Sequence, residues 1–263
     1  MEDYQLERYQ HTLGQEPVNI TDKYLVNKYL TMYTDQKIKV VVASEYSQED
    51  FKQKSETAKS LMATNQQNIQ IHIATSNKSS LGEVYNNVIE NSLDDDCIIV
   101  FMHDDVMILD YFWPLRVTEA LKKYDVVGLA GNVKRVDYQP AWGHLIKESG
   151  FVWDENTNLT GTVAHGRTWY PDNINYYGPS DQEVKLLDGV FLAAHSKTLK
   201  QSGLRFDPQF DFHFYDMDFC RQAELKNLKM GTFPLAIIHA GTGSLGTPEW
   251  SKNFHKYADK YIK

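Results

Sequence analysis

An α/β fold, with a mostly parallel sheet flanked by helices and a more irregular second half, is predicted by three features of this sequence. Between residues 38 and 130, apolar strand-like runs alternate with amphipathic helical segments, the order of a parallel sheet with right-handed crossovers. The third run, Cys97-Ile-Ile-Val-Phe-Met102, is apolar throughout, like a strand buried on both faces. It delivers His103, Asp104 and Asp105 to its carboxyl end. Beyond residue 150 the regular alternation stops, and short apolar runs are separated by stretches rich in Gly, Pro, Asn and Tyr.

Taken in order, residues 1–35 are polar and tyrosine-rich. Tyr24, Leu25, Tyr29, Leu30 and Met32 fall at loosely helical spacing, which predicts a peripheral helical arm ahead of a main domain over 36–263. Ile38-Lys-Val-Val-Val-Ala43 reads as the first strand, and Ser44, Glu45 and Ser47 as a polar turn. A helix with Phe51, Ala58, Leu61 and Met62 on one face follows. Ile69–Ala74 alternates as a second strand. Leu81, Val84, Tyr85, Val88 and Ile89 fall at i, i+3, i+4, i+7 and i+8, a strong amphipathic helix signal. After the third strand, Pro114 fits the first turn of a helix carrying Trp113, Val117, Ala120, Leu121 and Tyr124. Val126–Ala130 reads as a fourth strand.

In the second half, Gly150–Trp153 and Leu159–Val163 read as a hairpin, and 165–182 as a long irregular loop of the kind that often serves as a lid or binding loop. Val184–Ala194 and Gly231–Ala240 read as strands, with a helix over Tyr215–Leu228 between them. No G-x-G-x-x-G follows the first strand and no G-x-x-x-x-G-K-[ST] is present, which argues against a dinucleotide site and a P-loop.

The 263 residues suffice for one large domain with a small appendage. Lys+Arg of 27 against Asp+Glu of 35 gives a net charge of −8, which disfavours a general nucleic-acid-binding role. Cys97 and Cys220 have no zinc-type spacing. No apolar segment reaches membrane-spanning length, and Met1–Gly14 is too polar for a signal peptide. The expectation is a cytoplasmic protein without a transmembrane segment, whose aromatic arm offers a surface for an oligomer.

Four clusters could carry chemistry. Asp104 and Asp105 are adjacent acids at a strand's carboxyl end, where open α/β sheets bind ligands, and a divalent cation would relieve their repulsion. Asp188-Gly189 interrupts an apolar run, so Asp188 is either a solvated edge acid or a residue with a task. Asp216 and Asp218 open a helix; interaction with the helix dipole explains one of them but does not require both. His239 ends a strand ahead of the glycine-rich loop Gly241-Thr-Gly-Ser-Leu-Gly246, which could present N–H groups to phosphate.

In this order the clusters resemble the GT-A-fold glycosyltransferases, especially the family-2-like enzymes that use nucleotide-diphosphate sugars. Phe101-Met-His-Asp-Asp105 is similar to their D-x-D segment, with His103 where the first Asp usually stands. Tyr215-Asp216 occupies the place of their Glu-Asp motif, and His239 that of a metal-completing histidine. The likeness spans roughly 38–245.

It implies an inverting transfer from a nucleotide-diphosphate sugar, most commonly a uridine diphosphate sugar, to a glycan or other hydroxyl acceptor. Asp216 would be the base. Asp105 and His239, with Asp104, would bind Mn²⁺ or Mg²⁺. Ser44, Glu45, His103 and Asp104 would lie on the donor, with Asn77, Tyr85 and Asn86 completing its wall. Asp188, Gly189, Asp218 and the loop carrying Trp169, Tyr170 and Tyr176 would face the acceptor. Two other readings compete. One is a metal-dependent phosphoesterase, although hydrolases with a His-Asp pair usually hold it on helices. The other is a glycan-binding protein that keeps the fold without catalysis.

Overall fold

The computed structural model describes residues 34–64, 68–241 and 243–262. The arm expected over 1–35 lies, except for its last two residues, outside the described residues. The expected first strand is β1 (Lys37–Ala43). Two helices follow it rather than one, α1 (Gln48–Lys54) and α2 (Glu56–Ala63). Phe51, Ala58 and Leu61 are buried as expected, but Met62 is 59% exposed. The break at Ser55 has a structural cause. Its hydroxyl accepts from Ala58 N to cap α2 and donates to Asp104 O at 2.7 Å, so the new helix start is fastened to the acidic turn.

Next come β2 (Ile69–Ala74), α3 (Leu81–Glu90) and β3 (Cys97–Met102). A full capping box, Ser80 with Glu83, starts α3. Every residue of β3 is buried. Then follow β4 (Val106–Ile108), α4 (Trp113–Ala120) with Pro114 in its first turn, β5 (Val126–Gly128) and β6 (Ala130–Asn132). The second half contains β7 (His144–Lys147), β8 (Gly150–Trp153), β9 (Leu159–His165) and β10 (Asn173–Gly178). It continues with β11 (Glu183–Val184), β12 (Leu186–Leu187), β13 (Phe191–His195) and α5 (Ser196–Ser202). It closes with α6 (Tyr215–Leu225), β14 (Met230–Thr232), β15 (Ile237–His239) and α7 (Pro248–Tyr261).

The main sheet has the order β11-β14-β5-β13-β3-β1-β2. Five of its seven strands point one way; β13 and β11 run opposite. A second sheet, β12-β6-β9-β15-β4, has β10 beside β9. Several runs that read as single strands turn a corner between the sheets. The run Val126–Ala130 divides into β5 and β6, Val184–Ala194 into β11, β12 and β13, and Gly231–Ala240 into β14 and β15. Corners of this kind leave the apolar pattern intact, which is why periodicity alone does not show them.

Two pairings depart from expectation. The hairpin partner of Gly150–Trp153 is His144–Lys147, not Leu159–Val163, which instead lies in the second sheet. The loop expected over 165–182 contains β10, antiparallel to β9.

The core is organised around aromatic rings. Phe101 contacts Tyr85 at 5.0 Å and Phe206 at 4.9 Å, and Phe206 stacks on Phe219 at 4.1 Å. Asp218, expected to face the acceptor, is instead fully buried. It accepts from Lys260 Nζ at 2.6 Å, Tyr261 OH at 2.7 Å and Gln222 Nε2 at 2.6 Å, pinning the end of α7 onto α6. Asp218→Ala leaves Tyr261 OH and Gln222 without this acceptor, while Lys260 keeps Asp207 at 2.6 Å. We expect it to lower unfolding stability by roughly 2 kcal/mol, read from urea denaturation.

Candidate active site

Strand register assembles the site. The chain leaves the main sheet at Met102 and enters the second at Val106, so His103-Asp104-Asp105 is the corner itself. Its backbone is held from below by α2. Thr57 Oγ1 lies 3.0 Å from His103 O and 2.8 Å from Val106 O, and accepts from Val106 N. On one side, β15 pairs with β4 so that His239 sits opposite Val106, and Ala240 N donates to Asp105 O. On the other, β13 pairs with β3 and His103 N donates to Val190 O. The Asp188-Gly189 turn is thereby carried to His103.

His103, Asp105 and His239 each offer a ligand atom, all within 4.8 Å of one another. His239 Nε2 is 3.3 Å from Asp105 Oδ1, yet the alignment makes no hydrogen bond, and this buried oxygen has no hydrogen-bond partner. Gly241 leaves the cradle open, since a Cβ there would stand 2.6 Å from His239 Nε2 and 3.0 Å from Asp105 Oδ2. A buried carboxylate oxygen without a hydrogen-bond partner, between two imidazoles and beside a glycine, is a donor set that could hold a divalent cation. Burial works to raise the Asp105 carboxyl, but contact with His239 and the nearby histidine charges hold it below its ordinary value.

Asp104 stands apart from this trio. It accepts a short hydrogen bond from Ser44 Oγ, and burial, reinforced by Asp105, raises its carboxyl above the ordinary range. It faces a cleft of about 600 Å³ lined by Glu45, Tyr46, Lys54, Glu56 and Arg167 among others. Counting Asp104 and Asp105, four carboxylates line this cleft against two cations, and Lys54 is already paired with Asp50 at 2.6 Å. Arg167, which no local sequence pattern singles out, lines this cleft and also a larger one of about 1040 Å³.

Asp216 lies in the larger cleft together with Asp188, Gly189 and Tyr215. Its Oδ2 accepts from Gly189 N at 3.1 Å and its Oδ1 from Met217 N at 2.8 Å. Burial, with Asp188 adding, outweighs these bonds and lifts its carboxyl to about 7. Tyr215 OH donates to Gly189 O at 2.8 Å and is 2.8 Å from His103 Nε2. A Cβ on residue 189 would stand 2.1 Å from that hydroxyl and 3.0 Å from Asp216 Cβ, so the Asp-Gly turn exists to let Tyr215 and Asp216 in.

The remaining expected site residues divide. Glu45 lines the smaller cleft, whereas Ser44 is buried behind it and reaches it only through Asp104. Asn77 does not line it: its backbone N is bonded to Ser44 O and its side chain closes its own turn onto Ser79. Tyr85 is a core residue with no exposure, and Asn86 clamps the Phe206 backbone through both N–H and C=O. Neither is a donor wall. Trp169 and Tyr170 are 46% and 83% exposed and do not line the larger cleft, and Tyr176 is likewise exposed. Trp142, Trp153, His144 and Tyr177 line it instead, with His144 and Trp153 rings 3.9 Å apart. Only their aromatic character, shared with many core residues, could have signalled them.

The model of the glycosyltransferase-like family matches residues 39–234. The chain belongs to the glycosyltransferase-like family. Its mixed α/β architecture is GT-A-like, and membership supports a sugar-transfer function. No curated protein matches the sequence. Among solved structures, protein A197 from STIV is similar at 12% identity and a TM-score of 0.44, covering 79% of this chain and 87% of its own. HddC from Yersinia pseudotuberculosis is similar at 14% identity and a TM-score of 0.34, covering 93% and 91%. Likenesses this remote carry no weight for function. Among the described residues, no helix is long and apolar enough to cross a membrane.

Because a Cβ at residue 241 would displace His239 and crowd Asp105, Gly241→Ala should weaken Mn²⁺ binding by at least about tenfold. Titration calorimetry would measure this, with circular dichroism confirming that the ion-free variant stays folded.

Proposed function

We propose that this protein is a metal-dependent, inverting glycosyltransferase that moves a sugar from a nucleotide-diphosphate sugar, a uridine diphosphate sugar first among donors to test, to an acceptor hydroxyl. The observation that carries the reading is the placement of Asp216, a carboxyl lifted to about 7, in the same cleft as the His103–Asp105–His239 trio. The donor would occupy the smaller cleft and the acceptor the larger. Asp105, Arg167, Ala240 and Gly241 line both, so the reacting bond would lie where the two meet.

A smaller cleft richer in acids than in cations repels a diphosphate, and this supports a requirement for a bound cation. His103, Asp105 and His239 would hold a divalent ion, which would supply charge neutralisation to the departing diphosphate. Arg167 adds a guanidinium on the same side. Asp216 takes the proton of the acceptor hydroxyl. The freed oxygen forms the new bond to the anomeric carbon as the bond to the diphosphate breaks on the opposite face. Both Asp216 oxygens are already anchored by backbone N–H groups, so the carboxylate meets the acceptor in a fixed orientation. The aromatic wall of Trp142, Trp153 and Tyr177 offers apolar faces on which a sugar ring can lie.

Incubation with nucleotide sugars and an acceptor panel should give Mn²⁺-dependent release of nucleoside diphosphate with an inverted anomeric product. Turnover of simple phosphate esters without sugar transfer would sink the proposal in favour of a phosphoesterase. Asp216→Asn should keep donor affinity while lowering kcat by about 10²–10⁴-fold. Arg167→Ala should raise the donor KM.

The pH dependence has a defined sign. A base must be unprotonated, so kcat/KM should rise as pH passes through about 7. A carboxyl raised on folding favours the folded state only while it is protonated. Its contribution is therefore lost as pH climbs from the ordinary carboxylate range to about 7. Asp216→Asn should accordingly melt higher than the parent at pH 8 in a thermal-shift measurement.

A further inference from the structure

The Tyr215 hydroxyl has one proton and two polar neighbours. One of them, Gly189 O, is a carbonyl and can only accept, so the proton goes there at 2.8 Å. The other, His103 Nε2 at 2.8 Å, must therefore bring its own hydrogen. A neutral His103 ring is thus fixed with its hydrogen on Nε2 and its lone pair on Nδ1. Tyr215 cannot turn away: it is 3% exposed, its ring packs against Tyr85 and Phe206, and Gly189 has no side chain to displace it.

Asp105 and His239 complete the set, with Asp105 Oδ1 3.3 Å from His239 Nε2 and without a hydrogen bond. Asp104, the one other acid on the corner, is tied to Ser44. The available donors are two imidazole nitrogens and one carboxylate. Magnesium and calcium take oxygen donors, and Mg²⁺ surrenders its waters reluctantly. Imidazole nitrogen suits Zn²⁺, Cu²⁺, Fe²⁺ and Ni²⁺, and affinity for such donors rises along the first-row series from Mn²⁺ through Co²⁺.

We propose that His103 is a metal ligand through Nδ1, that Tyr215 is the positioning residue that presents this nitrogen, and that together they select a transition ion over Mg²⁺. This rests on the metal-dependent reading above and moves its choice of ion away from Mg²⁺, toward ions that accept nitrogen donors. It also gives His103 a definite task at a position where an acid would otherwise stand.

Pulsed electron paramagnetic resonance of the full-length protein loaded with Mn²⁺ reads the ligands directly, without turnover. The parent should show couplings from two imidazole nitrogens, and His103→Asp and His103→Ala from one. By calorimetric competition Mg²⁺ should bind at least about 100-fold more weakly than Co²⁺, and His103→Asp should narrow that ratio at least tenfold. Tyr215→Phe should lower Mn²⁺ affinity by about 10–100-fold with folding checked by circular dichroism.

One nitrogen coupling in both parent and His103→Asp, or Mg²⁺ binding as tightly as Co²⁺, would overturn the assignment. Unchanged Mn²⁺ affinity in Tyr215→Phe would overturn the positioning role. These failures are separable from failure of the transferase reading. Sugar transfer by a protein with one nitrogen ligand refutes His103 alone, whereas two nitrogens without transfer from any nucleotide sugar refutes the activity and leaves the ligand set standing.

Discussion

A single phenolic proton organises the centre of this molecule. Tyr215 OH gives it to Gly189 O and receives a hydrogen bond from His103, so one side chain joins the corner after β3, the turn before β13 and the first residue of α6. Each partner is constrained in turn. Residue 189 can have no Cβ, because it would lie 2.1 Å from that oxygen. The residue before Tyr215, Phe214, takes a left-handed backbone at φ 67°, a conformation unfavourable for a bulky side chain. It is held there by packing on Trp250, Phe254 and Tyr257 of α7. The terminal helix thus reaches the site through the strained residue that starts α6, and Asp218 locks that helix in place.

The sheet corner is the second determinant. A strand that passes from one sheet to another interrupts its ladder, and the freed backbone groups need partners. At 103–106, the hydroxyls of Ser55 and Thr57 supply them. This releases the side chains of His103, Asp104 and Asp105 from any packing duty. The flanking strands then fix what stands beside them: β15 brings His239, and β9 brings His165 opposite His239. Long-range register, rather than any local motif, places a histidine from residue 239 next to an aspartate from residue 105.

This explains what was legible in the sequence. The all-apolar run of β3 announces its burial, and the acids just beyond it announce the site, because both are local signals. The heptad-like spacing of α3 and its capping box are likewise local. The Asp188-Gly189 interruption is visible as an anomaly, but its cause, the approach of Tyr215, lies 26 residues downstream. Asp216 and Asp218 look equivalent in sequence and are opposite in structure. Two residues apart on α6, one meets the cleft and the other meets α7. Asn86 and Tyr85 look like donor contacts only until Phe206 is seen to occupy them. Trp169 and Tyr170 have the right chemistry at the wrong place, while Trp142, Trp153 and Tyr177 come together from the segment ahead of β7, from β8 and from β10.

The electrostatics of Asp216 show which of several opposing effects governs the site. It lies in the first turn of a helix, where the dipole favours a carboxylate, and accepts two backbone N–H bonds that favour it further. A solvated aspartate with those advantages would be strongly acidic and a poor base. Burial in the cleft, with Asp188 nearby, opposes them and prevails, bringing the carboxyl to about 7. The helix start and the N–H groups therefore do not serve to acidify Asp216. They fix the direction of its oxygens, while desolvation sets its basicity close to the pH at which proton transfer is most efficient. Orientation and proton affinity are assigned to different parts of the structure, and the same glycine that admits Tyr215 supplies one of the orienting bonds.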